Sequence, residues 1–223
     1  MKQTIRPGVF ETNSSSTHAI VVPHNVNEEN YSIYDSLRHD YGFGREECRL
    51  VDDWDEKLAY VYLILKDYES YNENRVHKIT LKDIEEFKQT VNDIFNDFFK
   101  KKDNCYYYVK PDEVFKFVDK DGNDKGSPLH TYSIGFYAGC FVDHVEDFDE
   151  NGFLDLVLND KEFLKRFLFN RDSYITVGGD EYRGYNIKTI GFEYDYDEDY
   201  ENTEFWNKVE EYEKDKDVFF KGN

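Results

Sequence analysis

HAIVVP, residues 18–23, is the stretch that decides the fold. Its four central residues, Ala19 to Val22, are all apolar, and they lie between a histidine and a proline. A short apolar run of this kind is typical of a buried strand, and proline ends it because it cannot donate to the hydrogen-bond ladder. We therefore predict a buried strand at residues 18–23.

The segment before this strand, residues 10–17, reads FETNSSST and is rich in small polar side chains. Such side chains bond to the nearby backbone and hold turns that direct N–H groups outward. The loop would then bind an anion, with Arg6 supplying charge and a planar fork for phosphate or carboxylate. In this interpretation Glu11 or His18 acts as a general base. This base would activate one of the three serines at 14–16 as the nucleophile, and we assign that role to Ser15.

The same segment has a structural interpretation. Thr12 and Asn13 would make turn hydrogen bonds in a surface loop, and His18 would be an ordinary half-buried strand residue. The sequence contains no P-loop, GxGxxG, GxSxG or HExxH motif that would connect the loop to a known reaction. Both interpretations therefore stay open at this point.

One resemblance is carried by RPGVFETNSSSTHAI, residues 6–20. This string resembles the N-terminal signature R-x-G-x-F-E-T-N-S-S-S-x-H of an uncharacterised family found among phages and prophages of low-GC bacteria. The likeness is confined to these residues. It implies a phage-type origin for the protein and no particular reaction.

Apolar residues at helical spacing predict the main helices. Trp54, Leu58, Val61, Leu65 and Tyr68 recur every three or four residues, which indicates a helix over 54–69 with one buried face. A second helix begins after Thr80, whose hydroxyl and the carboxylate three residues on resemble a capping box, and continues to about residue 100. Similar spacing predicts one or two helices over 153–169 and a short one after residues 202–203.

Runs of aromatic and β-branched residues predict the remaining strands. They are residues 105–110, 113–119, 130–139, 173–177 and 186–194. A turn is expected over 119–128, and the last two strands are expected to pair as a hairpin. Because strands and helices do not alternate strictly, we predict an α+β fold with a largely antiparallel sheet, in a single domain over residues 1–223.

The charge balance is the most unusual bulk property. The chain has 48 Asp and Glu residues against 28 Lys and Arg, a net charge of −20. Direct nucleic-acid binding is not expected, because such proteins need a basic face to displace counterions. One interpretation of this negative charge is that it only keeps the protein soluble. The other is that the acidic surface engages a basic bacterial protein that handles nucleic acid or acts in defence, so that this protein is an inhibitor with an anti-defence role.

The densest acidic run is GFEYDYDEDYENTEF, residues 191–205. In an extended strand, alternate carboxylates would line one face at about 6.6 Å spacing. This spacing is close to that of phosphates along a nucleic-acid strand, so mimicry of such a backbone is geometrically feasible. The predicted partner-binding residues are Glu193, Asp195, Asp197, Glu198, Asp199 and Glu201. The alternative is a solvated acidic loop.

The cysteines and histidines predict neither a metal site nor a cofactor. The three cysteines are far apart, with no CxxC pair and no Cys/His cluster at zinc spacing, which is typical of a reducing compartment.

The N-terminus lacks the apolar region of a signal peptide, and no segment is apolar enough to span a membrane. We therefore expect a protein of the host-cell cytoplasm, with no membrane contact and an oligomeric state that the sequence leaves open.

Overall fold

The fold is organised around an antiparallel sheet whose central strand is the predicted apolar stretch. The computed structural model describes residues 16–25, 42–43, 49–70, 78–103, 108–110, 116–118, 121, 123–126, 141–142, 152–179, 207, 211 and 214–221. The sheet consists of β1 (Ser16–Pro23), β3 (Arg49–Val51), β8 (Tyr174–Gly179) and β9 (Lys216–Lys221), in the order β3-β8-β1-β9. Every neighbouring pair in it is antiparallel.

The register of β1 places its apolar residues on both faces of the sheet. Ile20 lies opposite Ile175 on one side and Phe219 on the other, and these three belong to the hydrophobic core. Ala19 and Val21 point to the opposite face, since successive side chains of a strand alternate, and they are also fully buried. Burial on both faces explains why the strand is a continuous apolar run.

Four helices are described, and their side chains form most of the core. They are α1 (Trp54–Ser70), α2 (Leu81–Asp103), α3 (Phe153–Asn159) and α4 (Lys161–Phe169). Trp54 of α1 packs edge-on against Phe95 of α2, with ring centroids 5.2 Å apart. Phe169 of α4 stacks on Phe98 of α2 at 3.9 Å. Aromatic contacts therefore join three helices, and such pairs stabilise beyond the apolar area that they bury.

Capping side chains define where α2 and α4 begin. Asp83 Oδ2 accepts hydrogen bonds from the backbone N–H and the hydroxyl of Thr80, at 2.7 and 2.6 Å. These contacts hold the pKa of the Asp83 carboxyl below its usual value. Asp160 ends α3 and also caps α4, because its Oδ1 accepts from the N–H groups of Glu162 and Phe163 at 3.0 Å. The helical region over 153–169 is thus two helices that meet at one residue.

Arg166 ties α4 to both β1 and β9. Its guanidinium donates to the carbonyl oxygen of Pro23 at 3.0 Å and to the carboxylate of Asp217 at 3.4 Å. The other oxygen of Asp217 lies 3.1 Å from His24 Nε2. Phe219 adds apolar contacts to Phe153 and Phe163, so the C-terminal strand is held to the helices by both rings and charges.

Two smaller sheets complete the described elements. One pairs β4 (Tyr108–Lys110) with β5 (Lys116–Val118) and β5 with β6 (Asp124–Gly126), all antiparallel. The other is a parallel pair of two-residue strands, β2 (Gly42–Phe43) and β7 (Phe141–Val142).

The predicted fold class is confirmed: the protein is α+β, with a mainly antiparallel sheet packed against helices. The strand at 18–23 and the helices over 54–69, 80–100 and 153–169 are all present, with ends that shift by a few residues. Among the described residues, no helix is long and apolar enough to cross a membrane. The single-domain boundary over 1–223 stays a prediction.

Some strand predictions need correction. Residues 186–194 were expected to pair with 173–177 as a hairpin. Along Ile175–Val177, however, β8 is already paired with β1 on one edge and with β3 on the other. Gly178 and Gly179, expected in the turn of that hairpin, are the last residues of β8 and pair with Thr17 and Ser16 of the distant strand β1. The stretch expected as a turn over 119–128 contains β6, and β9 was not predicted at all. Residues 130–139 and 186–194 lie outside the described residues, as does most of the helix expected after 202–203.

The shared cap at Asp160 gives a stability prediction. Replacing Asp160 with Ala removes both acceptor contacts at the start of α4, so the free energy of unfolding should fall by about 1 kcal/mol in urea titrations. Lys161→Ala, at the neighbouring exposed position, is the matched control and should change stability by less than about 0.5 kcal/mol. Equal effects of the two substitutions would contradict the capping role.

Candidate functional site

His18 is the one predicted catalytic residue that the structure describes. Arg6, Glu11 and Ser15 lie outside the described residues, and so do all six predicted partner-binding carboxylates. The structure therefore does not test whether Arg6, Glu11, Ser15 and His18 converge. It does define the surroundings of His18.

His18 lies in the middle of the central sheet and is fully buried. In the register of β1 it is opposite Val177 of β8 and Lys221 of β9. It shares the helix-facing side of β1 with Ile20 and Val22, because alternate residues of a strand point the same way. The expectation of a half-buried strand histidine therefore underestimated its burial.

The imidazole of His18 meets a tyrosine of α1. His18 Nδ1 and the hydroxyl oxygen of Tyr60 are 2.6 Å apart, and the two ring centroids are 5.5 Å apart with a 45° tilt. Phe43 packs edge-on against the Tyr60 ring at 5.1 Å. The pair thus joins β1 to α1 inside the core, across 42 residues of sequence.

Tyr60 keeps its hydroxyl proton near neutral pH. The side chain is fully buried, and this burial raises the pKa of the Tyr60 phenol well above its ordinary value. Loss of the proton would leave a phenolate in a low-dielectric region, which is strongly unfavourable. The contact with His18 is therefore made by a neutral phenol.

Three consecutive charged residues at the start of α1 are also buried. Asp55, Glu56 and Lys57 are between 0% and 4% exposed. Such residues are rarely fully buried unless they are paired. Lys57 Nζ donates to the carbonyl oxygen of Ser173 at 3.1 Å, just before β8 begins. Asp55 and Glu56 lie in the first turn, where the positive end of the helix dipole favours a carboxylate.

We use the name buried polar cluster for the five buried side chains His18, Asp55, Glu56, Lys57 and Tyr60; His18 and Tyr60 contact each other, and Lys57 is hydrogen-bonded to Ser173. Buried titratable side chains concentrate at functional sites more often than elsewhere. The cluster offers an imidazole and a phenol for hydrogen-bond or proton exchange, and an ammonium group for anion binding. In the part of the chain that the structure describes, no three His, Cys, Asp or Glu residues form a metal-binding group.

Sequence analysis missed four of the five members of this cluster. The apolar spacing of α1 identified one buried face, which contains Trp54, Leu58 and Val61. It gave no reason to expect that other sides of the helix are buried as well. The contact to His18 itself is non-local and has no signature in the sequence.

The exposed side of α2 bears on the binding interpretation. Two of its lysines are engaged within the helix: the exposed Lys82 with Glu86 at 3.0 Å, and Lys88, whose side chain is only 13% exposed, with Glu85 at 2.7 Å. Asp93 and Asp97, one turn apart, remain exposed on the same helix. Over residues 81–98, the part of the helix whose side chains are described, carboxylates therefore outnumber ammonium groups.

Comparisons with protein-family models, with curated proteins and with solved structures find no match for this chain. The phage-type origin implied by residues 6–20 therefore stays a prediction.

Proposed function

We propose that this protein is an acidic binding protein that engages a basic bacterial protein, one that handles nucleic acid or acts in defence. The observation that carries the proposal is the net charge of −20. A surplus of this size produces a negative potential that attracts cationic surfaces and speeds their encounter with the protein. The same potential repels phosphate backbones, so direct nucleic-acid binding is not part of the proposal.

The described surface supports this proposal at α2. Lys82 and Lys88 are each within 3.0 Å of a glutamate of the same helix, so they are already engaged by neighbouring carboxylates. Asp93 and Asp97 add further negative charge that these lysines do not balance. A basic partner would therefore meet a negative field even outside its main contact.

The main contact in this proposal is made by the acidic segment, defined as residues 193–201. Its carboxylates are Glu193, Asp195, Asp197, Glu198, Asp199 and Glu201. Their density exceeds that of α2, and like charges packed so closely repel one another unless solvent or a cationic partner compensates. Binding of a basic surface relieves this repulsion, which is a physical reason for the segment to be the preferred contact.

The burial of His18 favours binding over catalysis. A catalytic base must reach a substrate proton within hydrogen-bond distance. His18 is fully enclosed in the central strand and its Nδ1 is engaged with Tyr60.

Charge reversal tests the proposal directly. Replacing Glu193, Asp195, Asp197 and Asp199 with Lys should raise the dissociation constant for a fluorescein-labelled Lys/Arg-rich peptide at least tenfold, equivalent to about 1.4 kcal/mol. Fluorescence anisotropy measures the constant, and a Glu/Asp-rich peptide of equal length is the negative control. The affinity of the unaltered protein should also weaken as salt increases.

A variant of α2 is the matched control for this experiment. Replacing Glu85, Glu86, Asp93 and Asp97 with Lys changes the net charge by the same amount on a surface described as exposed. It should weaken peptide binding much less than reversal in the acidic segment. Equal losses in both variants, or unchanged binding after reversal in the acidic segment, would count against the proposed contact.

The buried polar cluster favours a second candidate function, an enzyme acting on a phosphorylated small molecule or nucleotide. The polar segment that would hold phosphate with Arg6 leads directly into His18 in the sequence, and His18 is paired with the Tyr60 phenol. In this candidate, Arg6 grips the phosphate and Glu11, Ser15 and His18 carry out the proton transfer or nucleophilic attack.

Thermal unfolding with a panel of nucleotides and sugar phosphates tests the second candidate. A compound present at about 100 times its dissociation constant should stabilise the protein by about 2.7 kcal/mol and raise its melting temperature. Arg6→Ala should abolish the rise, whereas Lys2→Ala, the matched loss of a nearby positive charge, should leave it. The absence of any shift across the panel would remove this candidate.

A further inference from the structure

The hydrogen bond between His18 and Tyr60 can be made in two ways. Either the phenol O–H donates to Nδ1, which then carries no proton, or an Nδ1–H group donates to the phenol oxygen. The two arrangements correspond to different tautomers of a neutral imidazole. They also give the second ring nitrogen, Nε2, opposite roles, as a donor in the first case and an acceptor in the second.

The distance between the two atoms establishes a close hydrogen bond. Nδ1 and the phenol oxygen are 2.6 Å apart, at the short end of the range for protein hydrogen bonds. The same distance is compatible with either donor, so the donor is assigned from the chemistry of the two groups.

The chemistry of the two groups identifies the donor. Burial raises the pKa of the Tyr60 phenol, so its proton is retained and available to donate near neutral pH. A phenol O–H is a stronger acid than the N–H of a neutral imidazole, and an unprotonated ring nitrogen is a stronger base than a phenol oxygen. The pairing of the better donor with the better acceptor is O–H to Nδ1.

We propose that Tyr60 is a positioning residue, whose O–H donates to Nδ1 of His18 and holds the imidazole as the tautomer protonated at Nε2. Phe43 packs edge-on against the Tyr60 ring and restricts its movement, which keeps the phenol aligned with Nδ1. This assignment does not depend on either proposed function.

The proposal has one consequence that rests on the second candidate function. A His18 that carries its proton on Nε2 can donate a hydrogen bond or a proton through that nitrogen, but it cannot act there as a general base. If the protein acts on a phosphorylated compound, the role of general base therefore falls to Glu11 and not to His18.

Nitrogen NMR of the full-length protein labelled with ¹⁵N-histidine tests the tautomer. Two-bond proton–nitrogen correlations distinguish an unprotonated, pyridine-like nitrogen from a protonated, pyrrole-like one, and comparison with His18→Gln identifies the signals of His18 among the six histidines. Near neutral pH we expect a pyridine-like Nδ1 and a pyrrole-like Nε2. The reverse assignment, averaged shifts for the two nitrogens, or two pyrrole-like nitrogens would overturn the proposal.

Tyr60→Phe tests the positioning role, because it removes the donor and keeps the ring. In this variant the His18 shifts should move toward an average of both tautomers. Tyr62→Phe, which removes a hydroxyl two residues away on the same helix, should leave them unchanged. Unchanged shifts in Tyr60→Phe would overturn the role. If that variant does not fold, the spectrum of the unaltered protein still decides the tautomer, and a failed nucleotide screen leaves this result intact.

Discussion

The structure depends on the burial of β1 on both faces and along both edges. Its backbone pairs with β8 on one side and β9 on the other, so the strand has no free edge along most of its length. Ile20 and Val22 meet the helices, while Ala19 and Val21 are buried on the opposite face. Both neighbouring strands come from the C-terminal part of the chain, so the N-terminal strand is enclosed only when distant segments have assembled around it.

This constraint also fixes the position of His18. A slip of one residue in the register would turn every side chain of β1 to the opposite face and would separate the imidazole from Tyr60. A buried polar contact of this kind disfavours the wrong register, because the unpaired groups would be left in an apolar region. The fold and the candidate site are therefore linked through one strand: the register that buries Ile20 also brings His18 to α1.

The sequence predicted the parts of the structure that depend on local order. Leu58, Val61 and Leu65 mark α1 by their spacing, Thr80 and Asp83 mark the start of α2, and Ala19 to Val22 mark β1 by an unbroken apolar run. The pairing of β8, the existence of β9 and the burial of Lys57 depend on contacts between distant segments, which no local pattern encodes. For the candidate site, the sequence identified His18 but not Tyr60, since the hydrogen bond between them joins residues 42 positions apart.

Hydrogen exchange at the backbone amides of residues 19–22 is the most direct test of the central role of β1. If the strand is enclosed as described, these amides can exchange only when the whole protein unfolds. Their opening free energy should then equal the free energy of unfolding measured independently by urea titration. Exchange through local openings of much lower free energy, while the amides of α1 and α2 stay protected, would contradict this account.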